Sequence, residues 1–126
     1  MTTSDDEFSR ELTRLTTAFA AQLPQQVQSL EDDLAAWLSA PRETALFDTL
    51  GHKVHQLKGA GGTFGCSTVS EAAQVLEQRL AALEADATGA AGSDLDEVEA
   101  AMQVLRREAN RMYRSAAQRG KAGTQS

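Results

Sequence analysis

Apolar residues recur along this chain in steps of three and four, the spacing that keeps them on one side of an α-helix. Phe8, Leu12, Leu15, Phe19 and Leu23 form the first such stripe and predict a one-faced helix over residues 7–22. Pro24 has no backbone N–H to donate, and its ring crowds the preceding turn, so it is expected to end or kink that helix. Val27, Leu30, Leu34, Trp37 and Leu38 mark the next helix over 25–39, with Glu31, Asp32 and Asp33 on an expected solvated acidic face. Ser39-Ala40-Pro41 interrupts the pattern. A helix over 42–62 follows, and its inner stripe is Leu46, Phe47, Leu50, Val54 and Leu57.

Thr68-Val69-Ser70-Glu71 has the form of a capping box and predicts another helix start. Ala72 or Ala73, Leu76, Leu80 and Leu83 would face the core from that helix. Residues 86–92 are small and glycine-containing and are expected to form a loop. Ser93 with Asp96 caps a last helix whose stripe is Leu95, Val98, Met102, Leu105, Ala109 and Met112. Arg106, Arg107, Arg111 and Arg114 are expected near its end, where cations complement the helix dipole.

No strand-type alternation occurs, so the expected fold is all-α: an antiparallel four-helix bundle with an extra N-terminal helix. The expected division is a flexible N-terminus at 1–6, the bundle over 7–115 and a disordered tail at 116–126. A chain of 126 residues can bury a real core, and two prolines with only 5% aromatic residues favour helices over strands. The net charge of −6 argues against a nucleic-acid partner. Cys66 is the single cysteine, which rules out an internal disulfide, suits a reducing compartment and is expected as a buried packing residue. The N-terminus lacks a signal-peptide pattern, and no apolar run approaches the ~20 residues that span a bilayer. Cytoplasmic residence without a membrane partner is the expectation, and so is a monomer, because the apolar faces all look internal.

Residues 52–65, HKVHQLKGAGGTFG, hold the chemistry. On a helical wheel His55 lies off the apolar stripe, towards solvent. Its surface neighbours are Gly51 and Lys58, then Gly59 and Gly62. Positions with almost no side chain let a bulky partner approach the ring closely. The Lys58 ammonium one turn away can neutralise an anion attached to it. A neutral imidazole is a competent nucleophile. Together these features suggest a phosphoryl-accepting histidine.

The run His55-Gln56-Leu57-Lys58-Gly59, followed by Ala60-Gly61-Gly62-Thr63-Phe64-Gly65, resembles the signature of the histidine phosphotransfer (HPt) domain family. The resemblance implies an antiparallel four-helix bundle with the active histidine exposed midway along its second helix. It implies a phosphoryl carrier without ATP-dependent kinase activity, which agrees with the lack of a Walker-type loop. His55 would accept the group from a receiver-domain phosphoaspartate and pass it to another receiver aspartate. The implied partners are response-regulator receiver domains and a hybrid sensor histidine kinase. No cofactor is expected on this chain, because the Mg2+ such transfers need sits on the receiver. His52, Gln56 and the glycines at 51, 59 and 62 would serve receiver docking and clearance, with Lys53 as a further flanking position.

Two other functions fit the same residues. A helical adaptor of the same shape would bind a signalling partner without carrying phosphate and would not need His55. His52 and His55, three positions apart, could start a metal site, but Asp48 is the nearest carboxylate and no further ligand cluster completes it. Hence no metal is expected. His52 is the weaker phosphoryl acceptor, since His55 itself occupies the place where its lysine would stand. Phe64 is expected in the core, and Gly65 at the helix end or in the turn after it.

Overall fold

Four helices follow one another: α1 (Thr3–Ser39), α2 (Thr44–Thr63), α3 (Ser67–Ala85) and α4 (Gly92–Gln125). They belong to a computed structural model that describes residues 3–40, 44–85 and 92–125. The described residues contain no strand. Each helix packs on two neighbours, in the ring order α1, α2, α3, α4. Antiparallel pairing is visible in which residues meet. Trp37 near the end of α1 packs at a tilt on Phe47 near the start of α2, and Phe19 packs at a tilt on Phe64 at the other end, both at 5.1 Å between centroids. Between α3 and α4, Arg79 pairs with Glu97, while Val75 and Val104 line one groove.

The stripes predicted from spacing form most of the core, except that Phe8, Leu12, Leu15 and Leu38 of α1 stay exposed. Leu23, Val27, Leu30, Leu50, Val54, Leu76, Val98 and Leu105 are all essentially inaccessible, and Cys66 is buried among them. Both Ala72 and Ala73 are buried, whereas Leu46 and Leu95 are only half-buried. No polar or charged residue is buried among the described residues.

Several boundaries differ from expectation. The extra N-terminal helix is not separate, because α1 runs through Pro24 without a break. An interior proline costs about 3 kcal/mol. Burying Leu23, Val27 and Leu30 immediately around it returns roughly 1.5–3 kcal/mol each, so packing wins. Helix α1 already begins at Thr3, inside the segment expected to be flexible. Helix α4 continues to Gln125 through the expected tail. Residues 116–125 contain no proline and are mostly good helix formers, and Ala116 is buried against the bundle.

That continuation leaves no basic residue in the last turn of α4, and Arg106 and Arg111 serve side-chain pairs instead of the dipole. Arg106 donates to Glu31 and, at 3.1 Å, to Gln28, tying α4 to α1. Arg111 pairs with Glu108. The acidic group on α1 is not simply solvated either, since Lys53 lies 2.8 Å from Asp33. Of the loop expected at 86–92, residues 86–91 lie outside the described residues, as do Pro41 and the Ser93 side chain that was expected to cap α4, while Gly92 already belongs to α4.

Candidate functional site

Helix α2 carries the candidate residues because its buried stripe turns their side outward. Phe47, Leu50, Val54, Leu57 and Gly61 face the core. His52, His55, Gln56 and Gly59 are consequently exposed, and 65% of the His55 side chain is open to solvent. Gly65 closes the helix with a φ of 73°, the left-handed conformation that glycine adopts without strain. Around it the Cys66 N–H donates to Gly61 O at 2.8 Å and the Gly65 N–H to Gly62 O at 3.4 Å. This is the Schellman pattern, in which a reversed residue lets the last carbonyls find donors.

Helix α3 starts at Ser67, one residue ahead of the predicted capping box. The Ser70 N–H bonds Cys66 O at 3.0 Å as the first turn closes. The Ser70 hydroxyl is used elsewhere, donating 2.8 Å across the interface to Lys58 O. Gly61 makes this crossing possible. A Cβ built there would lie 3.1 Å from Ser70 N and 3.3 Å from Cys66 O, both backbone atoms. Glycines 51 and 59 have open space where a Cβ would be, and Gly62 would meet only the Ser70 hydroxyl at 3.8 Å. Three of the glycines near His55 are therefore not demanded by packing, and one, to which the sequence assigned no role, is.

The crossing brings Glu77 of α3 to His55. Glu77 Oε2 lies 2.7 Å from His55 Nδ1, and Lys58 Nζ donates to the other oxygen at 3.0 Å. Lys58 foremost, and then His55, hold the Glu77 carboxyl below the usual carboxylate range. An ionised carboxylate has no proton to give, so Nδ1 must be the donor. In the neutral ring the proton then sits on Nδ1, and the lone pair is left on Nε2.

Glu77 is 22 residues away from His55 in sequence, and nothing local to the histidine motif points to it. A usable signal lay in α3 itself. Ser70 and Glu77 are seven residues apart, two turns along one side of the helix, flanking the buried Ala73–Leu76–Leu80 stripe.

The other named residues separate into two groups. On the α1 side, Lys53 bonds Ser29 Oγ at 3.0 Å as well as Asp33, so its flexible stem is tied to α1. Gln56, Ala60 and Leu57 join Phe19, Ser29 and Leu30 in a groove of about 370 Å³ between α1 and α2. On the α3 side, Gly51 borders a groove with Phe47, Glu77 and Leu80. His52 stands exposed between the two. Among the described residues no group of three or more His, Cys, Asp or Glu is arranged to hold a metal ion. No helix of the described residues is long and apolar enough to cross a membrane.

A family model described as Hpt domain matches residues 14–108. No curated protein and no solved structure matches the chain.

Proposed function

Because the chain belongs to the Hpt domain family, whose members act in phosphotransfer of two-component systems, we propose that it is a phosphoryl carrier with His55 as acceptor. The observation that supports this best is the exposed His55 ring with Nδ1 bound to an ionised Glu77, which leaves Nε2 as the nucleophile. The Nε2 lone pair attacks the phosphorus of a receiver's aspartyl phosphate in line. The bond from phosphorus to the aspartate oxygen breaks, and the aspartate leaves as a carboxylate. The ring gains positive charge as the new N–P bond forms, and the Glu77 carboxylate at Nδ1 offsets it. Donation to a second receiver aspartate is the reverse of these steps.

Phosphoryl transfer asks mainly for positioning and charge neutralisation. Lys58 is held next to His55 by Glu77, and it moves from that carboxylate to the phosphoryl oxygens as they arrive. The Mg2+ of the reaction belongs to the receiver's acidic cluster. Gly51, Gly59 and Gly62 leave clearance for the receiver's loops, and the α1–α2 groove beside Gln56 takes its apolar contact surface.

Transfer from a phosphorylated receiver tests this function. Wild-type protein is expected to take up label from the receiver, and His55→Gln is expected to take up none. Uptake by His55→Gln equal to wild type rules the carrier out. Receiver binding unaffected by that substitution, with no uptake by either protein, would identify the adaptor.

A further inference from the structure

The four helices are unequal in length. Helices α1 and α4 have 37 and 34 residues, whereas α2 and α3 have 20 and 19. At ~1.5 Å per residue the excess amounts to about 20–25 Å of helix. It emerges at the end of the bundle where Phe19 meets Phe64, since α1 before Phe19 has no α2 beside it. The register of Arg106 against Gln28 and Glu31, continued along both helices, carries the end of α4 alongside the same part of α1. Two helices thus project beyond the other two.

Along this projection the α1 stripe loses its cover. Leu23 and Phe19 are buried at 0% and 8% exposure, but the same stripe continues outward as Leu15, Leu12 and Phe8 at 44%, 42% and 69%. The expectation that all apolar faces are internal fails here, because breaking α1 at Pro24 and ending α4 at 115 hides how far these two helices outrun α2 and α3.

We propose that the projecting ends of α1 and α4 pair with those of a second copy, antiparallel and related by a two-fold axis, so that the two projections together complete a four-helix layer. A second copy supplies what the stripe lacks, a pair of helices of the same length where α2 and α3 would have continued. Charge favours the antiparallel arrangement. The tip of α1 carries exposed Asp6 and Glu7, and the base of the projection carries exposed Arg114 on α4. Antiparallel pairing sets each acidic tip against the other copy's Arg114, while parallel pairing would set Asp6 and Glu7 against their own copies. The uncovered stripe is only three large side chains long, small for a specific interface, which points to a reversible dimer. His55 stays free, since it lies roughly 15 Å of helix before Gly65.

Sedimentation analysis of the whole chain from low micromolar to near-millimolar concentration tests the dimer. The mass is expected to rise from 13.5 kDa towards twice that value. Leu12→Glu, at an exposed position, is expected to remain monomeric throughout with unchanged helical circular dichroism. Arg114→Glu is expected to weaken association about threefold or more, and adding Asp6→Arg and Glu7→Arg to it to restore part of the loss. Wild type that stays at the monomer mass at every concentration overturns the proposal. So does a dimer that Leu12→Glu leaves intact, which would place the contact elsewhere.

Discussion

Glu77 is the residue whose role is most open to a direct test. It orients His55 through Nδ1 and holds Lys58 nearby, and it is itself half-buried. Glu77→Ala is expected to leave the fold intact and to slow phosphoryl uptake by about tenfold or more, by analogy with other removals of an orienting partner from a histidine. Nitrogen NMR of the His55 ring gives a second readout, since the neutral tautomer should lose its preference for the proton on Nδ1. An unchanged rate with an unchanged tautomer would show that the carboxylate is only a surface partner. His55 and Lys58 were legible in the sequence because they lie one turn apart on one helix, and helical spacing fixes their proximity. Glu77 was not, because its approach depends on how α3 crosses α2.

That crossing is set at the scale of the element, by glycine positions that look alike in sequence and differ in space. Gly61→Ala would drive a Cβ against the backbone of Ser70 and Cys66, and neither can yield without moving α3. It is expected to destabilise the protein by about 1–3 kcal/mol. Gly59→Ala meets open space inside a helix and is expected to stabilise by roughly 0.5–1 kcal/mol. Thermal melts of both variants check the pair, and equal changes of the same sign would contradict it. If Gly59 gives a receiver clearance, a large side chain there, as in Gly59→Trp, should slow transfer from the receiver while leaving small-molecule phosphorylation unaffected.

Element identity was readable because the stripes at three and four residues survive in the core almost residue for residue, from Leu23 to Leu105. The extents of α1 and α4 were not. Local rules stop a helix at Pro24 and release the chain after residue 115, but buried neighbours carry α1 across the proline and α4 onward past Ala116.

At the scale of the molecule, charge pairs connect the four helices around an apolar interior. Glu77 and Glu108 both have pKa values below the ordinary 4.5, through Lys58 and His55 for the first and chiefly through Arg111 for the second. A carboxyl whose folded-state pKa is depressed adds stability that is present above its ordinary value and lost as pH falls through the folded one. The melting temperature is therefore expected to lose this contribution as pH drops below about 4.5, and Glu77→Gln should flatten part of that slope. A slope identical in wild type and Glu77→Gln would remove Glu77 from this account.

The phosphoryl group itself is the most direct object to measure. Wild type, His55→Gln and His52→Gln would be incubated side by side with phosphoramidate, then followed by intact mass and by phosphorus and nitrogen NMR. One acid-labile phosphoryl group is expected on wild type and on His52→Gln, bonded to Nε2 of His55, and none on His55→Gln. An adduct that disappears with His52 in place of His55, or no adduct on any of the three, would contradict the assignment of His55 as the carrier.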